Sequence, residues 1–526
     1  MKKICFMVLS FMTLNLISCK DFLEETPTDF VSIGNFYKTE SDIISALAGI
    51  YDVLGKTSAY GRYFFLEMDM SDEQNYNNNG TVPTAPDLQY FNYQISDIKL
   101  EAVWSNLYTG INRANMLIEN VDNADIMEDK KEAYKAEAMF LRAYYYFLLT
   151  NHFGNVPLRL QSTKSPNEVD FPPSPYSVIY HQIVQDMEYA ADKVPDITAY
   201  NHGGRVTKSA VWGILARVNL KMAGAPLRDH SRYAEARKWA KKVIDLGYHE
   251  LHPDYTQVFK NYAQKQYYTK ESIWEVEFAY WSGTQNEEGQ VGSANGVRNT
   301  DRNMGYSYGL QRPMEVYYKR FEQGDLRRDW TISDYTYSGN QQVPLSGTNI
   351  TIYYNRYGAK FRREYENNPN KSVNTTIINF PLLRYSDVLL MFAEADNQMN
   401  RAPSSEAINA VNIVRRRAFG KFLPGAVNIE EFDIPNNLDA LTFQTFIQDE
   451  RSRELGFEAL RRFDLIRWGI YYSTMKDLLN YKSSAHVNYR VIPFIPAENL
   501  QLRDTLYAIP SDEMMINKLM VQNPGW

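Results

Sequence analysis

Apolar positions recur at steps of three and four along much of this chain, the spacing that gives a helix one continuous buried stripe. Between Trp104 and Val121 they fall at Trp104, Leu107, Tyr108, Ile111, Ala114, Leu117, Ile118 and Val121. A second helix is predicted from about Lys131 to His152, with Ala136, Met139, Phe140, Ala143, Tyr146 and Phe147 inward, stopping before Gly154 and Pro157. The two-helix format returns at Val206–Met222 and Tyr233–Leu246, the latter closed by Gly247, and again at Tyr385–Asn400 and Ser404–Ala418. Small residues Ala210, Gly213 and Ala216 would let the partner helix, with Tyr233 and Ala236, come close, as in a tetratricopeptide unit of degenerate consensus. The predicted class is therefore mainly α, an α-α superhelix of tetratricopeptide-like pairs stacked into one core.

Two stretches break the periodicity. Gln285–Tyr308 and Tyr335–Asn374 are rich in Gly, Asn, Ser, Thr and Tyr, which predicts long loops with a few short strands, Asn349–Tyr354 among them. Loops of this length in a compact domain are functional or disordered, and their aromatic content speaks against disorder. They are expected to be ordered loops.

The N-terminus has its own pattern. Met1-Lys-Lys is followed by an apolar run from Ile4 to Ile17, the charged and hydrophobic regions of a secretory signal, too short to span a bilayer. The run ends in L-I-S-C, Leu16 to Cys19, which resembles a bacterial lipobox, so residues 1–18 are expected to be removed and Cys19 to be acylated. The only other cysteine, Cys5, falls in the removed segment, which leaves no thiol for a disulfide or a metal. Stable anchoring needs more than one acyl chain, as bacterial lipoproteins have.

Composition narrows the function. The formal charge of −7 becomes −9 once Lys2 and Lys3 leave with the signal, and with no basic cluster the chain is a poor nucleic-acid binder. The 39 Tyr, 26 Phe and 8 Trp are an unusual load, and tyrosine, with a flat apolar face and a hydroxyl, suits polar ligands. Signatures of enzymes are missing. H-E-L-H at His249–His252 spaces its histidines three apart rather than four, and no G-x-S-x-G, phosphate loop or dinucleotide fingerprint occurs. No cofactor and no metal site are expected; a glycosidase needs only two carboxylates, so that class stays open. The densest charged segment, Glu450–Gly469, pairs Glu450/Glu454, Glu458/Arg462 and Asp464/Arg467 at helical spacing among Leu455, Phe457, Leu460, Phe463 and Trp468, and is read as a helix tied into the fold by ion pairs.

An ordered series of segments resembles the SusD/RagB family. They are C-K-D-F-L-E at Cys19–Glu24, E-A-M-F-L-R-A-Y-Y-Y-F-L with F-G-N-V-P-L within Glu137–Leu158, and G-R-V-T-K-S-A at Gly204–Ala210. Then follow E-S-I-W-E-V at Glu271–Val276, L-L-R-Y-S-D-V-L-L-M-F-A-E-A at Leu382–Ala395, the Glu450–Gly469 segment, and Q-N-P-G-W at Gln522–Trp526. The resemblance implies a loop-rich ligand side, an N-terminal region 19–265 and a C-terminal region 266–526. It further implies a lipoprotein of the outer membrane, facing outward, that binds oligosaccharides without catalysis and delivers them to a SusC-like TonB-dependent transporter. A peptide-binding member of the family is the alternative, with a glycoside hydrolase or a pure protein-interaction scaffold behind it.

A sugar offers an apolar C–H face and an edge of hydroxyls, so its site needs exposed aromatic planes beside short polar side chains. Two loops fit: Gln74–Gly80, with Tyr76 and Asn77, and Tyr280–Tyr308, with Trp281, Asn295, Tyr306 and Tyr308. These six are the candidate ligand contacts.

Overall fold

The computed structural model describes residues 36–78, 85–280, 289–347, 349–482 and 492–526, so Cys19, the signal segment and Trp281 lie outside the described residues. Among those described are twelve α-helices of eight residues or more: α1 Glu40–Gly55, α2 Ile98–Asn120, α3 Glu128–Phe153, α4 Tyr176–Ala190, α5 Lys208–Ala223, α6 Arg232–Asp245, α7 Tyr255–Gln264, α8 Tyr385–Asn400, α9 Ser405–Ala418, α10 Ala440–Leu455, α11 Arg461–Trp468 and α12 Tyr471–Tyr481. Their starts are set by side chains that accept from otherwise unpaired N–H groups. Thr39 and Asp42 form a capping box on α1, Asp97 accepts from Lys99 N at 2.9 Å on α2, and Asp439 accepts from Leu441 N and Thr442 N, both at 2.9 Å, on α10.

The chain is mainly α, with tetratricopeptide-like pairs. Helix α2 packs on α3, α3 on α4, and α5 on α6, while α8 lies across α6, α9 and α10. One apolar cluster runs through the molecule from Tyr37 to Met520. At Gly213 of α5 a Cβ would stand 2.4 Å from Leu383 Cδ2, so at that position the missing side chain also admits the strand after the loop region.

Among the described residues the strands form three two-stranded antiparallel sheets: β1 Asn75–Asn77 with β3 Gln311–Pro313, β2 Ser272–Val276 with β6 Phe380–Arg384, and the hairpin β4 Tyr335–Ser338 with β5 Gln341–Pro344. The strand expected at Asn349–Tyr354 is instead a short helix, Ile350–Tyr354. Asn349 caps it by accepting from Ile352 N at 3.1 Å, and Tyr353 and Tyr354 are buried together, which an alternating strand could not do. Glu450–Gly469 is likewise not one helix. Helix α10 ends at Leu455, and Phe457 and Ala459 take φ of 62° and 58° before α11 begins. Any side chain at Gly456 would meet the Tyr317 hydroxyl at 1.8 Å.

The break redirects the charges. Glu458 does not reach Arg462. It accepts from Arg384 Nε at 2.8 Å and from Lys360 Nζ at 2.5 Å. Glu454 accepts from Arg417 at 2.6 Å, Arg384 at 2.9 Å and Arg327 at 3.2 Å, and all four side chains are fully buried. Glu271 completes the group from the start of β2, 2.9 Å from Arg384. The helical pair Asp464/Arg467 does form, at 2.9 Å.

The end of the chain closes on its beginning. Tyr507 N donates to His152 O at 2.7 Å, its hydroxyl to Met68 O at 3.0 Å, the Tyr471 hydroxyl to Ser71 O at 2.7 Å, and Arg461 to Glu73 at 2.7 Å.

Candidate functional site

The loop region is built by backbone pairing rather than by regular elements. Strand β1 lies against β3, with Tyr76 opposite Arg312. The chain before β3 folds back on itself: Tyr308 N donates to Ser293 O at 2.8 Å, Leu310 N to Ala294 O at 2.9 Å, and Asn299 and Ser307 exchange both their N–H bonds. Inside that closed turn Asp301 accepts from Asn303 N at 2.8 Å and Met304 N at 3.2 Å. Arg363 clamps the turn from below, donating to Tyr306 O at 2.6 Å and Ser372 O at 2.7 Å while Glu366 holds its Nε at 2.8 Å. A buried guanidinium that satisfies several carbonyls at once fixes a loop more firmly than its length suggests.

On this support Tyr306 and Tyr308 stand edge to face, ring centres 4.9 Å apart at 72°. Tyr308 is 40 % exposed, and its hydroxyl donates to Asn374 Oδ1 at 2.7 Å. Tyr306 is half-buried, Asn77 likewise, and Arg298 is exposed nearby, its Cβ beside Gly309. The other two described candidates face inward. Tyr76 is 2 % exposed and meets Tyr354 edge to face, and Asn295, 1 % exposed, accepts from Gly292 N at 2.6 Å. The structure therefore brings Tyr306, Tyr308 and Asn374 into one open aromatic and amide corner, whereas Asn295 is spent on the backbone at Gly292 and Tyr76 packs against Tyr354. Asn374 and Arg363 were not singled out from the sequence; Asn374 does fall at the end of the stretch marked as a loop, and nothing local marks Arg363. Among the described residues no group of three or more His, Cys, Asp and Glu side chains could hold a metal ion, and His249 spends its Nδ1 on Lys270 O at 3.0 Å.

A family model described as the SusD family matches residues 270–526, and a second, described as starch-binding associating with outer membrane, matches residues 21–220. The chain belongs to the SusD family. This SusD-family chain is 26% identical to SusD-like protein P25 of Formosa agariphila, over 98% of its own length and 97% of that protein's. Among solved structures, the SusD homolog of Bacteroides thetaiotaomicron superposes with a TM-score of 0.85 at 28% identity, covering 96% of this chain and 100% of that one. Surface glycan-binding protein A from Bacteroides fluxus superposes with a TM-score of 0.71 at 26% identity, covering 93% and 100%.

Two recesses of this SusD-family protein lie away from the aromatic corner. One, of about 570 Å³, runs along α2 and is lined by Trp104, Tyr108, Arg159, Phe171 and Glu513. The other, of about 430 Å³, lies between α1 and β2 and is lined by His202, Arg205, Glu275 and Glu277. Glu275 is the chemically unusual group there. Burial pushes its carboxyl up to about 7, against hydrogen bonds from Ser272 at 2.5 Å and Asn379 at 2.7 Å. Folded protein thus keeps the proton between about pH 4.5 and 7 while unfolded chain loses it, so stability falls as pH rises through that window. Glu275→Gln should match the wild type near pH 4.5 and exceed it by about 1 to 3 kcal/mol at pH 8. Urea unfolding at both pH values checks this, and a difference independent of pH would contradict it.

Proposed function

We propose that this protein binds oligosaccharides at the cell surface without chemical change and hands them to a SusC-like TonB-dependent transporter, held in the outer membrane through lipid on Cys19. The observation that carries the reading is the Tyr306–Tyr308 corner with Asn374. It offers an exposed ring and an amide on a backbone fixed in advance, which is what a sugar's C–H face and hydroxyl edge require. A related surface glycan-binding protein of the same fold, and the starch-binding family description, support glycan as the ligand class. Trp281 and Asn77 are proposed as further contacts. Among the described residues no helix is long and apolar enough to cross a membrane. Lipid on Cys19 is the proposed attachment, on the strength of the L-I-S-C sequence.

The test is retention of the mature protein on polysaccharide affinity gels, followed by titration of soluble oligosaccharides. On the scale measured for base–aromatic stacking, Tyr308→Ala should weaken binding about five- to a hundredfold with the melting temperature unchanged. Unchanged affinity in a Tyr306→Ala, Tyr308→Ala double variant, with a loss in Tyr108→Ala, would move the site to the groove along α2. Binding of mixed oligopeptides but no glycan would select the peptide-binding alternative, and turnover of a bound glycan would make the protein an enzyme.

A further inference from the structure

The register of the hairpin that carries the aromatic corner decides which side chains share its outer face. Asn299 and Ser307 exchange N–H bonds of 3.0 and 2.9 Å, so they form a hydrogen-bonded antiparallel pair, with Arg298 opposite Tyr308 and Thr300 opposite Tyr306. Side chains alternate between the faces of such a ladder, and the burial here follows that alternation. Asn299 and Ser307 are 4 % and 1 % exposed, whereas Arg298, Thr300 and Tyr308 are exposed and Tyr306 is half-buried. Arg298 is therefore the cross-strand neighbour of Tyr308 on the open face, and its Cβ also borders Gly309. At that spacing, about 5 Å between Cβ atoms, its guanidinium can reach a group on the edge of a sugar ring lying on Tyr308.

The donors of this arginine are uncommitted. Among the described residues Arg298 has no carboxylate, carbonyl or ring partner, whereas Arg312, Arg356, Arg362 and Arg363 of the same region each donate to a backbone carbonyl. Arg302, near the tip of the hairpin, is likewise exposed and unpaired among the described residues. Lys371 adds a further cation, donating to Met304 O at 3.2 Å. The neighbouring carboxylates are occupied: Asp301 by the amides of Asn303 and Met304, Glu366 by Arg363, and Glu364 by the Tyr335 and Tyr337 hydroxyls. Arg298, Arg302, Arg363 and Lys371 outnumber them, in a chain whose formal charge is −7. Asn374 Oδ1 accepts from Tyr308, so what that amide still offers is its N–H pair. The charged group and the amide left to meet a ligand beside Tyr308 are thus both donors. With the Tyr306–Tyr308 corner as the glycan site, a reading on which this inference rests, we propose that the corner is selective for acidic oligosaccharides. The sugar stacks on Tyr308, and the Arg298 guanidinium holds its carboxylate or sulfate. A guanidinium grips either oxyanion through two parallel N–H bonds, a geometry that a neutral hydroxyl cannot match.

Affinity gels of polygalacturonate, alginate and carrageenan, run beside gels of starch, laminarin and xylan, test this with the mature protein. Retention on at least one acidic gel is expected, stronger than on any neutral one and falling as salt rises from about 0.01 to 1 M. Carboxyl reduction or desulfation of the retained polymer tells which oxyanion is held, and either treatment should abolish the preference. Arg298→Gln should weaken binding of the acidic oligosaccharide about three- to thirtyfold and flatten its salt dependence. Its melting temperature should not change, since the side chain has no partner among the described residues. Arg298→Lys, which keeps the charge, should keep the salt dependence. Tyr308→Ala separates the two ways of failing. If it weakens binding but the glycan bound is neutral, or if Arg298→Gln binds the acidic glycan as the wild type does, the charge assignment is overturned while the corner stands. Unchanged binding in Tyr308→Ala, or retention on none of the gels, overturns both.

Discussion

Glu454→Ala should cost the protein about 3 to 5 kcal/mol, the scale for removing one partner of a buried ion pair, and here three guanidiniums lose it together. Arg327, Arg384 and Arg417 converge on this one carboxylate, and none of them has access to water. Arg384 retains Glu271 and Glu458, and Arg327 retains Asp325 and Glu450, but Arg417 is left with Glu271 alone. Burial by itself would raise the Glu454 carboxyl, yet Arg417, Arg384 and Arg327 hold it far below the ordinary glutamate range. Chemical denaturation at neutral pH measures the loss, and a change under about 1 kcal/mol would mean that solvent reaches the cluster. Acid attacks the same group. Glu450, pushed up by burial but pulled by Arg327, Arg453 and Arg415 from 4.5 down to about 2, gives stability that is full above pH 4.5 and disappears as pH falls toward 2.

Cys19→Ala should move the protein from the membrane fraction to the soluble one almost completely. Each buried CH₂ of an acyl chain is worth about 0.8 kcal/mol, so the difference between two or three chains and none is the difference between permanent and negligible attachment. Labelling with radioactive palmitate and fractionation of the cell envelope provide the readout. Retention of the alanine variant in the membrane, or processing insensitive to inhibition of the lipoprotein signal peptidase, would refute the anchor.

The long helices were legible because their signal is local and repeated. Tyr385–Asn400 matches its predicted bounds, Ser404 caps α9 as its position suggests, and α3 starts and stops within three residues of expectation. What escaped prediction depends on partners far away. The end of α10 at Leu455 has a local signal in Gly456, which the helical spacing of charges through Glu450–Gly469 overrode; what no window shows is that the Tyr317 hydroxyl, more than a hundred residues earlier, leaves no room for a side chain there. The alternating I-T-I of residues 350–352 reads as a strand until Asn349 caps it into a helix. In the candidate site, Tyr306 and Tyr308 could be named from composition, whereas the Arg363 clamp works through backbone carbonyls that every residue carries. The inward turn of Tyr76 follows from the pairing of β1 with a strand some 230 residues on, which no window of sequence displays.

The closure of the chain's end on its beginning bears on how the molecule can be made. A simple helical solenoid can fold repeat by repeat as it emerges, because each unit needs only its neighbour. Here Glu73 is buried against Arg320 and Arg461, and the His152 carbonyl waits for the amide of Tyr507. Contacts of this kind join residues hundreds of positions apart, so this part of the core closes only when both partners are present, a slower step than pairing each helix with its neighbour.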